Sequence, residues 1–157
     1  MAAVIFNEHD ELLMMQEAKQ SCAGTWYLPA GRVNADEDLI PAVKREVLEE
    51  TGLHFEPMTL LQIESGKGCW YRFVFTGKIT SGELKTPLQA DAESIQAQWI
   101  DDIKQLDLRH DDILHLIEKG KQYYKRPKEE RRLFLPALVP HQKMLLRLTL
   151  IIRKKEK

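Results

Sequence analysis

The chain has 157 residues, a formal net charge of -1 and a pI near 6.5. This length suits one core, so we predict one domain at residues 1–126, followed by a linker and C-terminal tail of uncertain structure at 127–157. A chain without excess positive charge has no overall attraction for polymeric nucleic acid, so an anionic small molecule is the more credible partner.

The sequence also argues against secretion, membrane insertion and zinc chemistry. The N-terminal apolar run lacks the basic residues of a signal peptide, and every apolar run is shorter than the ~20 residues that cross a membrane. Cys22 and Cys69 have no metal-ligand spacing, and the five histidines form neither an HxH nor an HExxH pattern. We therefore expect a soluble, cytoplasmic protein with free thiols, without a membrane partner, that is a monomer or weak homodimer.

The N-terminal part begins with two predicted strands and a loop. Residues 2–6 and 11–16 are predicted to form a strand pair across a short polar turn. Because the first strand begins at Met1, we expect some N-terminal sequence to be missing from this chain. Residues 25–28 then enter the turn Pro29-Ala30-Gly31, which leads to a helix.

The helix is predicted to run from Leu39 to Thr51. Asp38 suits its N-cap, Pro41 falls in the first turn, where its missing N–H costs nothing, and Gly52 suits a left-handed residue beyond the end. At about 100° per residue, one apolar stripe can face a core. That stripe comprises Ile40, Val43, Val47 and Thr51.

A neighbouring face of this helix carries the carboxylates of Glu46, Glu49 and Glu50. Like charges at these spacings destabilise a helix by a few tenths of a kcal/mol per pair, and only Glu49 has a cation one turn before it, Arg45. Converging carboxylates suit a hard divalent cation such as Mg²⁺. A solvated acidic face is the alternative, and the helix taken alone favours it.

The remaining chain predicts a sheet and a second helix. The predicted elements are strands at 58–65, 69–77 and 95–100, with a continuation of the sheet at 78–85, and a helix at 111–124. The apolar residues from 144 to 152 fit either a strand or a helix.

Residues 31–53 resemble the Nudix box. Its polar and glycine positions are held here by Gly31, Glu37, Arg45, Glu46, Glu49, Glu50 and Gly52. By this motif the chain resembles the Nudix hydrolase superfamily. The resemblance implies an α/β/α sandwich with a mixed central sheet, and a Mg²⁺- or Mn²⁺-dependent enzyme that cleaves phosphoanhydride bonds in nucleoside diphosphate derivatives.

The resemblance also implies roles for the box residues. Glu46, Glu49 and Glu50 are expected to hold the metal, together with the carbonyl oxygen of Gly31. Glu46 either holds metal or accepts the proton of the attacking water, and Arg45 orients a glutamate. Glu37 is expected either to fix Arg45 or to bind metal.

Residues outside the box complete the predicted site. Members of the family often add an acidic residue from the loop before the strand at 95–100, for which Glu93 is our catalytic candidate and Asp91 the alternative. Candidate substrate-binding residues are aromatic side chains for stacking and aspartates that accept from base N–H groups: Trp26, Tyr27, Phe73, Asp111 and Asp112. Each has a simpler interpretation, because strand aromatics usually pack in a core and an aspartate at a helix start is usually an N-cap.

Four segments outside the helix, at 26–32, 72–75, 90–94 and 110–116, resemble Nudix hydrolases of oxidised purine nucleotides. This implies hydrolysis of 8-oxo-dGDP to 8-oxo-dGMP and phosphate, which sanitises the nucleotide pool and prevents DNA damage. ADP-ribose, dinucleoside polyphosphates and nucleoside triphosphates are alternative substrates. A non-catalytic nucleotide-binding module is a further alternative, which the intact box disfavours.

Overall fold

The structure is a computed structural model that describes residues 1–66, 70–131, 134 and 136–139. Its strands are β1 (Ala2–Ala3), β2 (Leu12–Glu17), β3 (Trp26–Tyr27), β4 (Leu53–Gly66), β5 (Trp70–Gly82), β6 (Ser94–Ile100) and β7 (Ala137–Val139). Its α-helices are α1 (Leu39–Thr51), α2 (Leu114–Lys125) and the short α3 (Lys128–Arg131). Single 3₁₀ turns lie at Pro87–Gln89, Ile103–Gln105 and Asp111–Ile113.

The strands pair in two sheets. Within the described residues, one sheet has the order β1-β5-β4-β7 and the other the order β3-β2-β6. β1 pairs parallel with β5, and β7 pairs parallel with β4, whereas β4 and β5 are antiparallel. This mixed pairing, with helices packed on the strands, confirms the predicted α/β class.

Two apolar clusters lie on opposite faces of the strands. Leu13 of β2 packs in the cluster that contains Val47 of α1, whereas its neighbour Met14 packs in the cluster that contains Leu116 of α2. Successive side chains of a strand point to opposite faces, so both faces of these strands are apolar and each takes a helix. This layering is the predicted sandwich.

The predicted strand pair at 2–6 and 11–16 is confirmed only next to its turn, where Phe6 and Leu12 form an isolated antiparallel bridge. The turn is closed by the Asn7 side chain, which accepts from the main-chain N–H of Glu11 at 3.0 Å. Beyond it, β1 pairs with β5, whereas β2 pairs with β3 and β6. The local alternation of apolar and polar residues indicates a strand, but contacts between residues distant in sequence decide which strand it pairs with.

The predicted helix at 39–51 is confirmed by α1. Gly52 ends it with φ 77°, and its N–H donates to the carbonyl of Leu48 at 2.9 Å. The predicted apolar stripe is wrong at Ile40, which is 44% exposed, because its neighbour Leu39 packs against the core in its place. Ala42, two residues later, is fully buried.

Other predicted elements are confirmed with altered ends. The hairpin of β4 and β5 extends beyond both predicted strands, and the predicted strand at 95–100 is β6. The second helix begins with a 3₁₀ turn at Asp111–Ile113 and continues as α2. The ambiguous segment at 144–152 lies outside the described residues, and the division of the chain at residue 126 stays a prediction.

The structure also bears on the expectations about free thiols and membrane-spanning segments. Cys22 is a free thiol, as predicted, and Cys69 lies outside the described residues. Among the helices in the described ranges, none is long and apolar enough to cross a membrane.

Candidate active site

A cleft of about 810 Å³ lies between the Gly31 turn, α1 and the first residues of β5. Six predicted site residues line it: Tyr27, Gly31, Arg45, Glu46, Glu49 and Glu93. Its walls also include residues that were not among the predicted site residues: Lys19, Arg32, Asn34, Trp70, Tyr71, Arg72 and Arg109. The fold thus brings the box helix, the Glu93 loop and a group of cations to one opening.

Arg45 connects the glutamates of the box. Its Nε and Nη2 donate to the carboxylate of Glu37 at 2.9 and 2.8 Å. Its Nη1 donates to Glu46 and to Glu49, both at 2.9 Å. The hydrogen bonds from Arg45 are the main reason that the pKa of Glu37 falls to about 2, and those to Glu37 raise the pKa of Arg45. Of the two roles expected for Glu37, the geometry shows the pairing with Arg45.

Gly31 leaves room for the Glu46 carboxylate. A Cβ at Gly31 would lie 1.9 Å from Oε2 of Glu46. The carbonyl oxygen of Gly31 accepts from the α-ammonium group of Met1, whose pKa is lowered by burial and raised by the charge of Glu46. The Gly31 oxygen and the Glu46 carboxylate therefore lie near the same cationic group.

Glu50 lies beneath the cleft instead of in its lining. It is 1% exposed and accepts from the main-chain N–H of Ala30 at 2.7 Å. Burial raises its pKa to about 8, against the effect of the Ala30 hydrogen bond, and the charges of Glu46 and Glu17 act in the same direction as burial. In the part of the chain that the structure describes, Glu50 has no ion pair.

The box glutamates are not gathered around one point. Within the described ranges, no group of three or more His, Cys, Asp or Glu side chains is arranged to hold a metal ion. The physical reason is that Arg45 contacts Glu46 and Glu49 while Glu50 turns to the Ala30 N–H. The donor chemistry nevertheless fits a hard divalent cation, because every donor is an oxygen and the buried Glu50 carboxylate has no ion-pair partner among the described residues.

The loop that carries Glu93 is ordered by Asp91. One oxygen of Asp91 accepts from the main-chain N–H groups of Glu93 and Ser94 at 3.0 and 3.1 Å. The other accepts from Nζ of Lys85 at 2.8 Å, and this bond is the main reason that the pKa of Asp91 is lowered. Asp91 thus serves the loop itself, whereas Glu93 lines the cleft.

Arg72 forms the opposite wall of the cleft. Its guanidinium contacts Glu64 at 2.5 Å and Asp112 at 2.7 Å, and its Nη1 donates to the hydroxyl of Tyr27 at 2.9 Å. The Tyr27 hydroxyl in turn donates to Asp112 at 2.9 Å. Burial raises the pKa of Tyr27 to about 12, although the charge of Arg72 opposes that rise. His115 contacts Glu64 from α2.

Four predicted substrate-binding residues are absent from the cleft lining: Trp26, Phe73, Asp111 and Asp112. Trp26 is buried in the core beside α2. Phe73 packs against the core beside α1, with its ring centroid 6.5 Å from that of Tyr71. Asp111 projects from the turn before α2 with a side chain that is 84% exposed. The cores therefore hold Trp26 and Phe73, Asp111 lies in solvent, and substrate binding by any of the four stays a prediction.

The residues that sequence reasoning missed are cations and exposed aromatics. Trp70 and Tyr71 are 51% and 62% exposed, whereas Val74 and Phe75 of the same strand are buried. The Arg72 guanidinium lies 5.9 Å from the Trp70 ring, and that of Arg109 lies 5.1 Å from the Tyr27 ring. The available signal was Arg72 itself, the single charge among the aromatic and apolar residues from Trp70 to Phe75.

Comparisons with known proteins agree with this geometry. Residues 1–135 match the family model described as NUDIX domain. The 8-oxo-dGDP phosphatase NUDT18 of Homo sapiens is 49% identical over 139 residues, which are 88% of this chain and 42% of that protein. The protein of the same name in Danio rerio is 49% identical over 125 residues, which are 80% of this chain and 38% of that protein.

A NUDIX hydrolase from Nitrosomonas europaea has a related structure, with a TM-score of 0.64 and 29% identity over 82% of this chain and 90% of that chain. The chain spans about two fifths of the length of the curated relatives that it matches. Because the family model covers most of its residues, the chain belongs to the NUDIX domain family.

Proposed function

We propose that this protein is a Nudix hydrolase that uses Mg²⁺, or Mn²⁺ in its place, to cleave 8-oxo-dGDP to 8-oxo-dGMP and inorganic phosphate. The observation that carries the proposal is a complete Nudix box whose Arg45, Glu46 and Glu49 line one open cleft. The similarity to relatives named 8-oxo-dGDP phosphatase supports the choice of substrate. Cytoplasmic location and a monomer or weak homodimer stay predictions from the sequence.

Four oxygen donors would hold the cation: the carboxylates of Glu46, Glu49 and Glu50 and the carbonyl of Gly31. When bound, a divalent cation neutralises phosphate charge and makes a bound water more acidic. Arg45 keeps Glu46 and Glu49 within 2.9 Å of one guanidinium group, so it positions both carboxylates. The pairing of Arg45 with Glu37 fixes that guanidinium in turn.

Proton transfer requires a carboxylate near the attacking water. Glu46 is our first candidate, because one of its oxygens is held by Arg45 while the other faces the Gly31 turn. Glu93 is the second candidate, since it lines the same cleft from the loop before β6. In both cases the carboxylate accepts a proton from water, and the phosphoanhydride bond breaks as the new phosphorus–oxygen bond forms.

The cations of the cleft fit an anionic substrate. Among the described residues, Arg72 and Arg109 pair with carboxylates, whereas Lys19 and Arg32 have no ion pair through their side chains. Lysine and arginine side chains bind phosphate oxygens through charge-assisted hydrogen bonds. We therefore infer that Lys19 and Arg32 contact the substrate phosphates.

The base is proposed to lie against the exposed aromatic residues at the start of β5. Tyr71 and Trp70 line the cleft and offer flat surfaces for stacking. Oxidation at C8 converts N7 of the purine from an acceptor into a donor, which calls for an acceptor on the protein. Asp112 stays our proposed acceptor, next to Tyr27 and Arg72, and Asp111 stays a weaker candidate at the surface.

The substrate proposal is tested by kcat/KM values measured side by side with Mg²⁺ for 8-oxo-dGDP, dGDP, 8-oxo-dGTP, ADP-ribose and diadenosine polyphosphates. We expect 8-oxo-dGDP to lead and to exceed dGDP by ~10²-fold or more, because a site that bonds the altered edge leaves polar groups unpaired with the normal base. If ADP-ribose or a dinucleoside polyphosphate leads, the substrate is wrong while the Nudix chemistry stands.

A further inference from the structure

The carboxyl end of α1 carries two proposed metal ligands and has no cation of its own. Its last turn contains no basic residue. The last carbonyl groups of a helix lack partners within the helix and lie at the negative end of its dipole, so they need donors from elsewhere. The N–H of Gly52 donates to the carbonyl of Leu48. The carbonyls of Glu49, Glu50 and Thr51 still need donors.

Lys85 supplies most of the missing donors. Its side chain is buried, and its Nζ donates to the carbonyl of Glu49 at 2.6 Å. Its main-chain N–H donates to the carbonyl of Thr51 at 2.8 Å. The hydroxyl of Ser94 accepts from Nζ of Lys85 at 3.0 Å and donates to the carbonyl of Glu50 at 2.7 Å. One lysine and its hydroxyl neighbour thus satisfy three consecutive carbonyls.

The same ammonium group orders the Glu93 loop. The third bond of Lys85 Nζ goes to the carboxylate of Asp91 at 2.8 Å. The other oxygen of Asp91 accepts from the main-chain N–H groups of Glu93 and Ser94. A continuous path of hydrogen bonds therefore runs from the Glu49 carbonyl to the backbone of Glu93. The side chains at both ends of that path line the cleft.

We propose that Lys85 is a positioning residue that fixes Glu49 and Glu93 relative to each other across the cleft. This inference rests on the proposed function, in which Glu49 holds metal and Glu93 takes part in catalysis. A buried ammonium group with three acceptors, one of them charged, holds its neighbours more firmly than an exposed one, because water does not compete for its hydrogen bonds. The end of α1 and the Glu93 loop then act as one unit.

The test compares Lys85→Met, which keeps an unbranched side chain and removes the charge, with a matched control. Lys44→Met is that control, since Lys44 also belongs to α1 but pairs with Glu56 at the exposed surface. We expect Lys85→Met to lower kcat for 8-oxo-dGDP at least ~10-fold while KM changes less than ~3-fold, because displaced groups lose transition-state contacts. Lys85→Arg should recover part of the loss, and Lys44→Met should leave both constants unchanged.

Two further readouts do not depend on turnover. Amide hydrogen exchange at Glu93 and Ser94 should become at least ~10-fold faster in Lys85→Met, because Asp91 is no longer held in place. Mn²⁺ affinity, measured by electron paramagnetic resonance, should fall in Lys85→Met and not in Lys44→Met. If Lys85→Met fails to fold, Asp91→Asn replaces it, since the amide oxygen still accepts from the loop while the charge facing Lys85 is lost.

The proposal is overturned if Lys85→Met leaves kcat and the exchange rates at the wild-type level. It is also overturned if the losses from Lys85→Met and Glu93→Gln add fully in the double variant, because residues that act through one another are coupled. If the wild-type chain cleaves no nucleotide of the panel, the proposed function fails. The exchange and Mn²⁺ measurements then still decide whether Lys85 orders the site.

Discussion

Gly31 is the residue at which one added carbon changes the site most. A Cβ there would overlap the Glu46 carboxylate, whose Oε2 would lie 1.9 Å away. Because that carboxylate is the end of a flexible side chain, Gly31→Ala should fold with a Tm close to wild type. We expect kcat to fall by ~10²-fold, since a displaced general base or ligand loses its geometry. A Gly31→Ala variant with full kcat would show that the Glu46 position is not critical.

Glu46 itself is predicted to act on turnover more than on binding. Glu46→Gln keeps the shape of the side chain and an oxygen facing Arg45, but it removes the base. We expect kcat to fall at least ~10²-fold while the Kd values for Mg²⁺ and nucleotide change less than ~5-fold. Isothermal titration alongside steady-state kinetics separates the two effects. Collapsed affinity with a normal residual kcat would make Glu46 a binding residue instead.

Glu50 gives the metal-free chain a pH-dependent stability. Burial raises its pKa from 4.5 to about 8, so the folded chain keeps a proton that the unfolded chain loses in this range. Its stabilising contribution is therefore complete below pH ~4.5 and is lost as the pH rises through ~8. With EDTA present, we expect the free energy of unfolding to decline more steeply in the wild type than in Glu50→Gln. Parallel profiles would contradict the raised pKa.

At the scale of elements, the polar contacts of β5 should stabilise the fold more than any surface ion pair. Arg72 is 13% exposed and joins Glu64 and Asp112. Removing it takes the arginine partner from the buried Glu64 carboxylate and from Asp112, so Arg72→Met should cost at least ~2 kcal/mol of unfolding free energy. Lys44→Met breaks the exposed pair with Glu56 and should cost less than ~1 kcal/mol. If urea denaturation gives the two variants equal losses of unfolding free energy, this prediction is wrong.

How well each element could be predicted follows from where its signals lie. The bounds of α1 depend on Pro41 and Gly52, which act within a few residues, and the structure reproduces them. The pairing of β1 with β5 joins Ala2 to Val74 and leaves no local signal. The same limit applies to Ile40, which is exposed while its neighbour Leu39 packs against the core beside α1.

At the scale of the molecule, the cleft depends on contacts between distant segments. The box residues were predictable because their motif is continuous in sequence. The contacts of the opposite wall were not, because Tyr27 and Asp112, although predicted singly, meet Arg72 only after the strands and α2 pack. Trp26 and Phe73 were predicted to stack on the substrate, but both pack in or against the two cores.

The central claim, metal-dependent hydrolysis by the Nudix box, is tested most directly by ³¹P NMR of 8-oxo-dGDP incubated with the wild type and with Glu49→Gln. With Mg²⁺, the wild type should convert the two diphosphate signals into 8-oxo-dGMP and inorganic phosphate, and excess EDTA should stop the reaction. Glu49→Gln should turn over at least ~10²-fold more slowly at saturating substrate, because the phosphate charge loses its counter-ion. Full turnover by Glu49→Gln in excess EDTA would contradict the account.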